Sequence, residues 1–323
     1  MSEKPTTPQN KAPQDKNVKS PTEAQTTSPA ITVTGLTRNF GGLTAVDVDH
    51  LEIRPNQITA LIGPNGAGKT TLFNLISGFD QPTSGSWQLF GKDMTGVAPF
   101  KVARSGLVRT FQLTKSLGRL SVLENMMLGT ANQTGESLWA SMIQPLWGAE
   151  EAASRTRALE LLDKFTLDHV KDEFAANLSG GQRKLLEMAR ALMADPQVIL
   201  LDEPMAGVNP ALTQSLLGHI QGIRDEGRTV VFVEHDMDMV REISEEVVVM
   251  AEGRLIAQGS HREISANPRV ISAYLGQHHD EDLSNLDVTK NTEDAGTRAS
   301  TPSPQDSGPS DQPATQKVKN DDE

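Results

Sequence analysis

The chain has 323 residues, of which 37% are hydrophobic, 22% charged and 4% aromatic, enough for one large folded domain or two small ones. It holds no cysteine, which excludes disulfides and thiolate metal sites. The net charge of −12 argues against a protein held to nucleic acid by bulk positive charge, so no nucleic-acid partner is expected.

Residues 1–28 are rich in Pro, Thr, Ser, Lys and Gln and carry almost no large apolar side chain. Such a segment buries too little surface to offset its ordering entropy and is expected to be a disordered tail. No apolar h-region follows the first Met, so no secretory signal is read. No apolar run approaches the roughly 18 to 20 residues that span a bilayer. A role at a membrane would need another chain to cross it.

The folded body is expected over 29–277. It opens with alternating apolar residues in Ile31–Thr34 and Ala45–Ile53, which predict strands. Ile58–Ile62 predicts a buried strand that runs into a glycine loop, and a helix is expected over Thr70–Ser77. Residues from about 113 to 177 read as mainly helical. There a helix over Ala149–Phe165 would place Leu159, Leu162 and Phe165 on one face. Val198–Leu201 and Thr229–Val233 predict two further buried strands, and Val247–Met250 with Arg254–Ile256 a late hairpin. Strands alternating with helices predict an α/β fold with a mostly parallel sheet. Residues 278–323, dominated by Pro, Ser, Asp and Thr, predict a disordered acidic tail. From Gln277 onward eleven acids face four bases, a net of −7.

Three motifs carry chemistry. Gly63-Pro64-Asn65-Gly66-Ala67-Gly68-Lys69-Thr70 fits G-x-x-x-x-G-K-[ST], with a strand before it and a helix, continuing through Thr71, after it. Glycines let backbone N–H groups converge on phosphate oxygens, and the helix N-terminus adds its positive end. Lys69 can reach the β- and γ-phosphates, and the Thr70 hydroxyl can ligate Mg²⁺. Next, Val198–Leu201 leads into Asp202-Glu203. Beside a phosphate loop, Asp202 would hold Mg²⁺, through water, and Glu203 could act as general base. Without that loop, the pair would read equally well as a strand entering a polar turn.

The third motif is Leu178-Ser179-Gly180-Gly181-Gln182, placed before a helix over Arg183–Met193. A Ser hydroxyl, glycine N–H groups and a helix dipole make a second phosphate-binding end. One nucleotide does not need two such ends from one chain, so this one is read as serving the nucleotide of a second copy. The plainer alternative is that Ser179 simply caps a core helix.

In this order and spacing these residues resemble the nucleotide-binding subunits of ABC transporters, over essentially all of 31–277. The resemblance implies a P-loop NTPase core with a parallel sheet, an antiparallel β-subdomain and a helical subdomain at about 113–177, together an ABC ATPase domain over 29–277. It implies ATP and Mg²⁺ as cofactors. It also implies that Phe40 stacks on adenine, that Gln112 senses the γ-phosphate and the metal, and that His235 contacts the γ-phosphate. Asn209 departs from the pattern, since most such subunits carry Asp there. An amide still hydrogen-bonds but brings no charge.

A finer resemblance runs through Phe40-Gly-Gly-Leu-Thr-Ala45-Val, Arg109-Thr-Phe-Gln112, Ala206-Gly-Val-Asn-Pro210 and Ala273-Tyr-Leu-Gly276. It is similar to the ATPases of branched-chain amino-acid importers. Urea-type importer ATPases and the ATPase of lipopolysaccharide export share parts of it and remain alternatives. Soluble ABC ATPases of DNA maintenance carry long coiled-coil insertions, which 113–177 is too short to hold, and translation-associated ones carry two cassettes per chain. The implied partners are polytopic membrane permease subunits, a second ATPase subunit, identical or paralogous, and, indirectly, an extracytoplasmic solute-binding protein. The implied location is peripheral, on the cytoplasmic face of the cell membrane.

Overall fold

The computed structural model describes residues 28–110, 118–130 and 144–274. Two sheets organise them. One is four-stranded and antiparallel, built from β1 (Ile31–Phe40), β2 (Leu43–Ile53), β4 (Ser84–Leu89) and β5 (Lys92–Asp93) in the order β2-β1-β4-β5. The other is six-stranded, in the order β10-β9-β3-β8-β7-β6. Its members are β3 (Ile58–Ile62), β6 (Leu107–Arg109), β7 (Val198–Asp202), β8 (Thr229–Val233), β9 (Glu246–Ala251) and β10 (Arg254–Gly259). All its pairings are parallel except the β9/β10 hairpin.

Alternate residues of the six-stranded sheet point to opposite faces, and each face is buried, so its strands are continuous apolar runs. Leu61, Leu200, Val231 and Val248 join one core with β1, β2 and helix α1 (Lys69–Ile76). Ala60, Ile199, Val230 and Val247 join a second core. That core also takes in α3 (Val122–Met127), α4 (Gln144–Lys164), α5 (Gly180–Met193), α6 (Pro210–Asp225) and α7 (Met237–Ile243). Two further short helices are α2 (Pro99–Arg104) and α8 (His261–Ser265).

The expected strands and hairpin are present, as is the helix after the glycine loop, which starts at Lys69. One detail differs. Leu162 and Phe165 of the α4 region are fully buried, whereas Leu159 is 37% exposed. The buried face runs through Ala158 instead, because 158, 162 and 165 follow the i, i+4, i+7 spacing of a helical stripe and 159 is rotated off it. The segments 1–27 and 275–323 lie outside the described residues, and with them the expected acidic tail and all of the expected N-terminal tail but Ser28, as does part of 113–177.

Candidate functional site

Open parallel sheets collect ligands at the carboxyl ends of their strands, and three sequence motifs emerge at or beside that edge. At the end of β3 the backbone packs too tightly for a side chain. A Cβ on Gly63 would lie 2.0 Å from the Met250 carbonyl oxygen, and one on Gly68 2.3 Å from that of Ala45. Gly68 also holds φ at +93° and caps α1 without any side-chain hydrogen bond, and the first turn of α1 holds no acid. The leading N–H groups of α1 are therefore left for an anion, with the helix dipole behind them.

A cleft of about 460 Å³ opens there. Asn65, Gly66, Ala67, Gly68, Lys69, Thr70 and Thr71 line it, and Glu203, Thr44, Ala45 and Gly253 close its sides. The Lys69 ammonium donates to the carbonyl oxygens of Gly63 (2.6 Å) and Pro64 (2.8 Å). Burial pulls the lysine pKa below its ordinary range, and the nearby Glu203 carboxylate partly opposes this. A half-buried cation, open helix N–H groups and no competing acid in the first turn fit a triphosphate, and the Thr70 hydroxyl beside them fits its metal.

Glu203 sits one residue past the end of β7 with φ at +45°, a left-handed conformation that costs a non-glycine residue about 1–3 kcal/mol and is typical of functional sites. Its backbone is held on both sides: its N–H donates to Val233 O (3.0 Å), and Lys184 of α5 donates to its carbonyl (3.3 Å). Asp202 does not line the cleft. Its Oδ2 is ion-paired to Arg109 at 2.6 Å. His235 follows β8, with its side chain 75% exposed. The buried Glu234 beside it accepts from the backbone N–H groups of Met205 (2.9 Å) and His235 (3.2 Å), so one carboxylate ties together the loops that follow β7 and β8.

Phe40 ends β1 and is 48% exposed. One face of its ring carries the Arg38 guanidinium at 4.4 Å, which two bonds fix to Asp80. Ser179 N-caps α5 in a capping box: its oxygen accepts from Gln182 N–H, and the Gln182 side chain accepts from Ser179 N–H. Gly180 and Gly181 form the first turn of that helix, away from the cleft. Asn209 caps α6, its Oδ1 accepting from Leu212 N–H at 3.0 Å. Gln112 lies outside the described residues.

Comparison with known proteins places this geometry. The family model "ABC transporter" matches residues 46–206, and the model "Branched-chain amino acid ATP-binding cassette transporter" matches 254–280. The probable branched-chain amino acid transport ATP-binding protein LivG of Archaeoglobus fulgidus is 40% identical, over 75% of this chain and 93% of its own length. The high-affinity branched-chain amino acid transport ATP-binding protein BraF of Pseudomonas aeruginosa is 39% identical, over 77% of this chain and 98% of its own. The chain belongs to the branched-chain amino-acid transporter family of ABC ATP-binding proteins. The crystal structure of a nucleotide-free ATP-binding cassette from an ABC transporter aligns with TM-score 0.68 and 34% identity, over 76% of this chain and 98% of that one. The ADP conformation of the cassette MJ1267 aligns with TM-score 0.67 and 33% identity, over 77% and 99%.

This ABC ATPase also places residues near the cleft that sequence reasoning passed over. Asn74, Lys184 and Glu234 carry no motif, and Arg109 served only as a family marker. A charged residue ending an apolar strand was the one available signal for Arg109 and Glu234. A second cavity, of about 370 Å³, lies between α2 and β6 on one side and α3 and α5 on the other. Phe100, Arg104, Leu128, Glu187 and Arg190 line it. Burial raises the Glu187 pKa, against the opposing pull of Lys184, Arg190 and Arg183. Among the described residues no helix is long and apolar enough to cross a membrane.

Proposed function

We propose that this ABC transporter ATPase energises import of branched-chain amino acids from the cytoplasmic face of the membrane, without touching the cargo. Its 38–40% identity to ATP-binding proteins named for that transport carries the cargo reading, and the C-terminal match at 254–280 supports it. The absence of contact is a physical argument: the cleft is built of glycine backbone, Lys69 and Glu203, whereas a leucine side chain needs a dry apolar pocket.

Two copies, or one with a paralogous partner, would close head to tail around two ATP molecules. The base stacks on Phe40. Lys69 leaves the Gly63 and Pro64 carbonyls for the β- and γ-phosphates, and the N–H groups of Gly66 through Thr71 surround the phosphate oxygens. When bound, Mg²⁺ neutralises developing charge on those oxygens; Thr70, Gln112 and Asp202 would hold it. Glu203 takes a proton from the attacking water while the bond from the γ-phosphorus to the bridging oxygen breaks, leaving ADP and phosphate. His235 contacts the γ-phosphate. Ser179 through Gln182 of the partner copy close over the same phosphate, so hydrolysis removes the bridge and the dimer opens.

The cavity between α2 and α5 is the docking place for a short helix of the permease: it has apolar lips in Phe100 and Leu128 and charged walls in Arg104, Glu187 and Arg190. Residues 29–277 form the ATPase body, and a chain trimmed to them should hydrolyse ATP like the full one. Reconstitution with the permease and solute-binding protein tests the cargo. Leucine, isoleucine and valine on the binding protein should stimulate hydrolysis. Stimulation by urea or a lipid instead would reject the cargo and leave the ATPase assignment standing.

A further inference from the structure

Arg109 ends the edge strand β6, and its side chain is only 7% exposed. Its two terminal nitrogens go to different elements. Nη2 meets Asp202 Oδ2 at the end of β7, and Nη1 meets Asn74 Oδ1 on the P-loop helix α1, each at 2.6 Å. The guanidinium lies 5.6 Å from the Phe73 ring centre, also on α1. One planar fork thus joins the strand that leads toward Gln112, the helix that starts at Lys69 and the carboxylate next to Glu203.

Stability alone does not explain such a group. Taking an ion pair out of water costs several kcal/mol per ion, and apolar residues of like volume often serve as well. A guanidinium is the side chain suited to holding two acceptors in a fixed plane; a lysine is a point charge on a flexible stem. Asp202 has two carboxylate oxygens, and Arg109 takes one. Oδ1 carries no protein hydrogen bond among the described residues.

We propose that Arg109 is a positioning residue for the metal carboxylate. It locks Asp202 through Oδ2 against the P-loop helix, by way of Asn74, and leaves Oδ1 to the hydrated Mg²⁺ of the nucleotide. This rests on the reading of Asp202 as the residue that holds the metal. Partners of this kind around metal ligands are worth about 10–100-fold in metal affinity or activity.

The test is ATP binding to the full chain, measured by calorimetry in a Glu203→Gln background so that no turnover intervenes, with EDTA and across a Mg²⁺ titration. Asp202→Asn should abolish most of the gain in ATP affinity that Mg²⁺ brings. Arg109→Gln should leave ATP affinity in EDTA within about two-fold and raise the half-saturating Mg²⁺ concentration about 10-fold. Arg109→Lys should recover only part of that loss, and Arg109→Gln should add nothing once Asp202 is Asn. Asn74→Ala should shift the Mg²⁺ dependence in the same direction, and it carries the test if Arg109→Gln does not fold. If Asp202→Asn keeps its Mg²⁺ gain, the reading of Asp202 itself fails. If Asp202→Asn loses the gain while Arg109→Gln and Asn74→Ala keep it, the positioning role is wrong. Tighter Mg²⁺ binding in Arg109→Gln would mean that the guanidinium competes with the metal, and would also overturn the proposal.

Discussion

Helices α1 and α5 both begin in a glycine motif, yet their N-termini are finished in opposite ways. Gly68 opens α1 with no side-chain cap, and the glycine backbone beneath it, at positive φ, leaves N–H groups facing an open cleft. Ser179 opens α5 inside a complete capping box with Gln182. The first end is built before any ligand arrives. The second spends its Oγ lone pair and its own N–H within the helix, and keeps for a partner the Ser179 hydroxyl proton and the N–H groups of Gly180 and Gly181. The difference matches the two tasks proposed for them: one end binds the nucleotide of its own chain, and the other meets a γ-phosphate only when a second copy closes.

The comparison breaks first at the open end. Glu203→Gln should lower turnover by about 100-fold or more, since base catalysis is worth 10²–10⁴, and should accumulate an ATP-bound dimer on size-exclusion chromatography. Lys69→Ala should instead lose nucleotide binding, and with it the dimer. Near-normal turnover in the first variant, or an ATP-driven dimer in the second, would dissolve the distinction between the chemistry of this end and its hold on the nucleotide.

The capped end should respond less, and in two separable ways. Ser179→Ala removes the cap, at about 1 kcal/mol of stability by denaturant unfolding. It also removes a hydroxyl proposed to meet a charged phosphate, so ATP-driven dimerisation should weaken by about 10-fold or more. Ser121 makes the same capping box on α3 and supplies the control. Ser121→Ala should cost similar stability with dimerisation unchanged. Equal dimerisation in both variants would return Ser179 to the role of an ordinary cap.

The open end was almost wholly legible in the sequence, because its chemistry is local. Glycine spacing, a lysine and a threonine sit within eight residues, flanked by a strand and a helix. What was hidden is what tertiary pairing creates. Strand β6 is three residues long and strand β4 begins Ser-Gly-Ser; each becomes a strand by pairing with a neighbour rather than by its own pattern. Leu159 satisfied an apolar count but not the stripe that α4 buries. Arg109, Asn74 and Glu234 are polar residues with no spacing rule, and only the fold brings their partners within reach across 93, 35 and 29 positions.

The smallest expected effect concerns Asn209, where the resemblance to ABC nucleotide-binding subunits in general leads one to expect Asp. Its Oδ1 accepts from Leu212 N–H, and Pro210 follows at the first helical position, so the side chain already serves as the N-cap of α6. Asn and Asp are equal as caps, and an acid at a helix N-terminus gains about 0.3–1 kcal/mol from the dipole. Asn209→Asp should therefore leave thermal stability unchanged or slightly raised, with ATP-driven dimerisation within about two-fold of the parent, because the capping contact satisfied by Asn209 needs only an oxygen. The amide differs from the acid in its two N–H donors and in carrying no charge. A clear loss of dimerisation in Asn209→Asp, with stability intact, would show that the loop after Glu203 works at the interface between copies and needs the neutral amide there, beyond its capping oxygen.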